Sequence, residues 1–99
     1  MKQGSGKQPT ADDYVYVRYI GRLTDGTEIS NTYQDKQASL IDLTAVIKGW
    51  KEGIPLMKEG GKWRFSLPPE LAYGNRSVGK QIPKNATLIF DIELISIDQ

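Results

Sequence analysis

With no cysteine and no histidine anywhere in the chain, the side chains able to do chemistry are carboxylates, hydroxyls and aromatic rings. The two absences remove disulfides, thiolate nucleophiles, Fe–S clusters and zinc–thiolate sites. They also remove the imidazole base that Ser-His-Asp catalysis needs. A metal would have to be held by oxygen ligands alone, and no Ca²⁺-loop pattern occurs. The acidic candidates Asp12-Asp13, Glu52, Glu59 and Glu70 lie in polar or turn contexts and read as solvated surface acids. Nothing places two of them face to face across an apolar cleft. Gly4-Ser5-Gly6 lacks the lysine and helix of a phosphate-cradling loop, and Glu59-Gly60-Gly61-Lys62 leads into a strand. No metal site and no cofactor are expected.

What remains is apolar: Tyr19, Trp50, Tyr73 and Phe90, with Val46, Ile47 and Ile82. By periodicity alone this set is an ordinary core. Two details point further. Trp50 opens a glycine-flanked segment, where its ring can floor a cavity, and Tyr73 precedes a glycine in a loop, where it offers a ring wall and a hydroxyl. Concave apolar sites with a few polar points are the usual small-ligand pockets.

The elements that would position these residues follow from pattern. The chain has 99 residues, 38% hydrophobic and 25% charged, which suits one globular domain. Residues 1–13 read as a lead-in loop and residues 14–99 as the domain. Tyr14 to Ile20 alternates as a strand with Val15, Val17 and Tyr19 on one face, and Gly21 to Leu23 extends it. Asp25-Gly26 signals a hairpin returning through Thr27 to Thr32. Leu40 to Leu43 reads as a short strand. Ile47, Trp50, Ile54 and Met57 share one face of a short helix over Val46 to Met57, weakened by Gly49, Gly53 and Pro55 and ended by Glu59-Gly60-Gly61. Such a helix must be held by packing. Lys62 to Leu67 alternates with Trp63, Phe65 and Leu67 inward, and Pro68-Pro69 stops it. Glu70 to Asn85 is a long loop of the kind that often carries function. Thr87 to Ile97 is the clearest strand, with Leu88, Phe90, Ile92 and Leu94 on one face. The sum is an α+β domain: an antiparallel sheet of about five strands with one short helix laid across it.

Thirteen basic and twelve acidic residues are interspersed, for a net charge of +1, so no nucleic-acid surface is expected. No apolar run approaches the roughly 20 residues of a membrane span. No signal-peptide pattern is visible, and a soluble protein is expected.

Four blocks carry a family resemblance. They are Val15-Tyr16-Val17-Arg18-Tyr19-Ile20-Gly21-Arg22-Leu23-Thr24-Asp25-Gly26; Val46-Ile47-Lys48-Gly49-Trp50-Lys51-Glu52-Gly53, followed by Met57 and Gly60; Pro68-Pro69-Glu70-Leu71-Ala72-Tyr73-Gly74; and Ile82-Pro83 through Asn85-Ala86-Thr87-Leu88-Ile89-Phe90-Asp91-Ile92-Glu93-Leu94. In this order they resemble FKBP-type peptidyl-prolyl cis-trans isomerase domains, in the bacterial macrophage-infectivity-potentiator and FklB-like branch. The resemblance implies a five- to six-stranded antiparallel twisted sheet wrapped around one short helix, and it reads residues 1–13 alternatively as a truncated first strand. It implies a site in which Tyr19, Ser30, Trp50, Tyr73 and Phe90 act on the substrate while Ile29, Ile41, Val46, Ile47 and Ile82 bind it. A proline ring would sit on Trp50, with hydrogen bonds from the Ile47 backbone N–H and the Tyr73 hydroxyl. The implied partners are proline-containing peptides or unfolded proteins and FK506- or rapamycin-type macrolides, with oligomers only through segments outside this chain. The implied location is bacterial cytoplasm, periplasm or surface.

This chemistry suits a chain without base or nucleophile. Rotation about an X–Pro bond crosses a barrier of about 18–20 kcal/mol set by amide resonance, and no proton or covalent step is needed to lower it. A dry pocket that binds the twisted amide better than the planar one suffices. Three positions depart from the family pattern: a phenylalanine-aspartate pair is Ile29-Ser30, and a second phenylalanine is Ile41. Serine can hydrogen-bond but brings no charge. The expectation is an isomerase of reduced activity, the alternative a proline-segment binding or chaperone module of the same fold, and a third reading a fold whose pocket is vestigial.

Overall fold

Alternation explains the sheet. The computed structural model describes residues 4, 6–33, 35–74 and 82–98, so expectations for residues 1–3, Ser5 and the 75–81 part of the long loop lie outside it. The strands are β1 (Tyr14–Leu23), β2 (Glu28–Asn31), β3 (Ser39–Asp42), β4 (Lys62–Leu67) and β5 (Leu88–Asp98), and the helix is α1 (Lys48–Gly53). Every pairing is antiparallel. The order is β2-β1-β5-β4, and β3 shares with β2 the edge of β1 that β5 leaves open. Leu88, Phe90, Ile92 and Leu94 of β5 meet Val15 and Val17 of β1 in the core, together with Leu43, Ile54, Met57 and Leu67. The five strands and one helix match the expected α+β class.

The expected hairpin forms at Asp25-Gly26, where Gly26 has φ +91° and Asp25 Oδ1 accepts the Thr27 N–H at 2.9 Å. Two bulges interrupt the ladders. One leaves Ile95 as the extra residue between the Tyr16–Ser96 and Val17–Leu94 pairs, and the other leaves Ile29 extra between Gly21–Ser30 and Arg22–Glu28.

The helix is shorter than the apolar spacing predicts. Regular α-helix ends at Gly53, and a 3₁₀ turn, Ile54–Leu56, carries Trp50's buried face on to Ile54 and Met57. Pro55 is the reason, because it has no N–H for the Lys51 carbonyl but fits the first turn of the new segment. Gly60 and Gly61 therefore do not end the helix. Gly60, at φ +86°, shapes the turn into β4 instead. No side chain caps α1. It is held by contact: a Cβ on Gly49 would run into Leu67, and one on Gly53 would come within 2.6 Å of the Phe65 ring. The two glycines let the helix backbone lie directly on β4.

Glu59 corrects the expectation of a solvated acid. Its Oε2 accepts the Ile97 N–H at 2.8 Å and its Oε1 the Lys7 N–H at 3.4 Å. Backbone bonds from Gly6 N–H to the Glu59 carbonyl (3.1 Å) and from Glu59 N–H to the Lys7 carbonyl (2.9 Å) complete the junction. One side chain thus ties the lead-in to the end of β5. Among the described residues no helix is long and apolar enough to cross a membrane.

Candidate functional site

The helix and the inner sheet face enclose a cavity of about 490 Å³. It is lined by Tyr19 of β1, Ile29 and Ser30 of β2, Ile41 of β3, Ala45, Val46 and Ile47 before α1, Trp50 of α1, Tyr73, Ile82, and Phe90 of β5. All ten residues named from sequence are brought together there. Ala45 is the addition, and its small side chain in a polar turn gave no chemical signal.

Three rings make the floor. Trp50 meets Tyr19 at 4.8 Å between centroids and 85°, and Phe90 at 5.2 Å and 89°; Tyr19 and Phe90 lie 6.4 Å apart. Such edge-to-face pairs add about 0.5–1.5 kcal/mol each beyond their buried area and fix ring orientation. Trp50 is only 5% exposed, and its Nε1–H has no hydrogen-bond partner among the described residues. An unpaired buried donor costs about 1–3 kcal/mol, so the indole serves this position through its ring surface rather than its N–H.

The walls come from irregular backbone. The bulge at Ile29 explains how two successive residues, Ile29 and Ser30, both face the cavity when plain alternation would separate them. Gly21, opposite, is required: a Cβ there would sit 2.8 Å from the Phe90 ring and 3.2 Å from Ile29. Ile47 is the N-cap of α1 in extended conformation (φ −63°, ψ 156°). Its carbonyl accepts the Trp50 and Lys51 N–H groups, each at 3.1 Å, while its own N–H is paired with no acceptor among the described residues. Tyr73 follows a 3₁₀ turn at Pro69–Leu71, which is closed by Gly74 N–H to the Pro69 carbonyl (2.7 Å) and joined to the other side of the loop by Asn85 N–H to the Gly74 carbonyl (2.9 Å).

Among the described residues no carboxylate, amine or guanidinium lines the cavity. Asp42, next to Ile41, has a lowered pKa through hydrogen bonds from Thr44 in the turn before Ala45. Asp91 adjoins Phe90 but points to the other face of β5, where Arg64 and Arg22 bind it at 2.6 and 2.9 Å. Hydrogen bonds from Arg64 are the main cause of its lowered pKa, against partial burial, with Arg22 adding to them. Among the described residues no three His, Cys, Asp or Glu side chains group as a metal site. The arrangement can bind an apolar ring on an aromatic floor and offer it a few neutral hydrogen-bonding groups.

Known proteins resemble this chain along nearly its whole length. Residues 5–95 match the family described as FKBP-type peptidyl-prolyl cis-trans isomerase. The "Probable FKBP-type peptidyl-prolyl cis-trans isomerase FkpA" of Neisseria meningitidis serogroup B is 48% identical over 96 residues, covering 97% of this chain and 35% of that protein. The "Peptidyl-prolyl cis-trans isomerase Mip" of Coxiella burnetii is 41% identical over 97 residues, covering 98% of this chain and 42% of that one. The crystal structure of a peptidyl-prolyl cis-trans isomerase from Pseudomonas syringae superposes with a TM-score of 0.92 at 37% identity, over 100% of this chain and 72% of the other. The chain thus spans less than half the length of these two curated relatives.

Proposed function

The chain belongs to the FKBP-type peptidyl-prolyl cis-trans isomerase family, and from that premise we propose that its cavity binds the proline of an X–Pro segment and accelerates rotation about the preceding amide. The observation that carries this reading is the floor in which Tyr19 and Phe90 each stand nearly at right angles to Trp50, beneath a cavity with no charged lining residue among the described ones. A pyrrolidine ring is a compact apolar body that packs on an indole face. Removing the X–Pro amide from water takes away hydrogen bonds that favour its planar, polar form. The twisted transition state is less polar, so a dry pocket opposes it least. Ile47 N–H and the Tyr73 hydroxyl are the donors that orient the bound segment; Tyr19, Ile41, Val46, Ile82 and Phe90 shape the slot; residues 14–99 form the working unit.

Ile29 and Ser30 temper the rate. A carboxylate at position 30 would place a fixed charge beside the rotating amide, and serine supplies only a dipole. That substitution, with isoleucine at 29 and 41, favours a second reading: a module that holds proline segments and turns them over slowly. The substrates under either reading are proline-containing segments of peptides or unfolded chains, and macrolides of the FK506 and rapamycin type are competitors for the same floor.

A protease-free isomerisation assay with and without rapamycin tests the first reading. Catalysis that rapamycin abolishes is expected. Peptide binding without rate enhancement leaves only the holding role, and neither binding nor catalysis removes both.

A further inference from the structure

Strand β1 gives one edge to two partners in turn. β3 pairs with Tyr14–Val17 and β2 with Ile20–Arg22, which leaves Arg18 and Tyr19 in the gap between them. Among the described residues β2 and β3 pair with β1 and not with each other. Yet both carry cavity wall: Ile29 and Ser30 on β2, Ile41 on β3. With no ladder between them, their relative placement rests on what each makes with β1 and on the connector that leaves β2 after Asn31 and returns at Ser39.

Arg18 holds that connector. Its Nη1 donates to the Asp35 carbonyl at 2.8 Å and the Thr32 carbonyl at 3.5 Å, and its Nη2 to the Lys36 carbonyl at 3.4 Å. Thr32 closes the gap on the backbone side: its Oγ1 accepts the Tyr19 N–H at 2.9 Å, and its own N–H donates to the Tyr19 carbonyl at 2.9 Å. Val17 is wholly buried in the core and Tyr19 lines the cavity, so alternation puts Arg18 on the opposite face of the sheet. There Tyr33 of the same connector lies with its ring centroid 5.2 Å from Lys62 Nζ of β4, a second anchor on that face. Bonds from a cation to carbonyls are charge-assisted, and the planar guanidinium fork spreads its donors over separate nitrogens that reach several carbonyls at once.

We propose that Arg18 is a positioning residue: from behind the sheet it fixes the spacing of the two wall strands, and so sets which residue before proline the pocket accepts. The substrate part rests on the isomerase reading; the positioning part does not. Small changes of wall spacing matter, because one methylene of mismatch in an apolar pocket changes discrimination by roughly 10- to 200-fold.

The test compares Arg18→Met, which keeps the stem and removes every donor, with Arg18→Lys, which keeps the charge and one donor group. One readout is kcat/KM on X–Pro peptides with alanine, leucine or phenylalanine before the proline. The other is the NMR methyl signals of Ile29 and Ile41, with Ile54 and Ile92 as core controls. The expected result for the Met variant is a leucine-to-alanine preference changed at least roughly threefold, with Ile29 and Ile41 signals moved, control signals in place, and partial recovery in the Lys variant. A merely structural role would lower all three peptides alike and leave their ratio unchanged, and that result overturns the proposal. If the wild-type chain turns over none of the peptides, the isomerase reading falls and the methyl signals decide alone: moved Ile29 and Ile41 support the role of Arg18, and unmoved ones overturn it. Should the Met variant fail to fold, the Lys variant carries the same comparison at smaller amplitude.

Discussion

Trp50 packs T-shaped against both Tyr19 and Phe90 and lines the cavity, so its ring orientation is fixed. Trp50→Leu keeps an apolar floor but removes the flat surface and both ring contacts. It is expected to lower kcat/KM roughly tenfold or more, about 1.4 kcal/mol of transition-state binding, as measured by protease-free kinetics. Ser30→Asp is expected to act the other way, raising kcat/KM by roughly three- to tenfold through a fixed charge at the rim. No change, or a fall, would count against this account of position 30. The residues of the floor were legible in the sequence because large rings among glycines are conspicuous. Ala45 was not, since a methyl group in a turn carries no chemical label.

At the scale of elements, α1 is the part whose stability runs against propensity. On an exposed helix, glycine to alanine would stabilise by about 1 kcal/mol. Here the added methyl of Gly49→Ala meets Leu67, which is 4% exposed and has nowhere to go. A net loss of roughly 1–3 kcal/mol is expected in chemical denaturation. Gly53→Ala meets the half-buried Phe65 ring, which can swing toward solvent, so its loss should be smaller. Alternation made β1, β4 and β5 readable. It could not reveal the bulge at Ile29, because one extra residue leaves no trace in a four-residue strand. Nor could it show Glu59 bonding to Ile97, since that contact depends on how distant elements dock.

Over the whole molecule, the Asp91 ion pairs and the cavity lie on opposite faces of the sheet. Asp91, bound by Arg64 and Arg22 on the outer face, has a lowered pKa when folded. A carboxyl lowered on folding contributes stability that is fully present above its unfolded pKa, about 3.9, and is lost as pH falls through the lower folded value. Asp91→Asn should therefore melt earlier than wild type at neutral pH, and the two melting curves should converge in acid below about pH 4. Among the described residues the cavity face has no carboxylate or amine, and the chain has no histidine, so kcat/KM should stay flat from about pH 5.5 to 8. The proposed function requires that this aromatic-floored pocket turn over the X–Pro bond rather than merely hold it. Exchange NMR on an X–Pro peptide with a small fraction of the chain added tests that most directly. Exchange cross-peaks between the cis and trans forms, strongly reduced with Trp50→Leu, are the predicted result. Peptide signals that shift on binding while cis and trans remain unexchanged would contradict it.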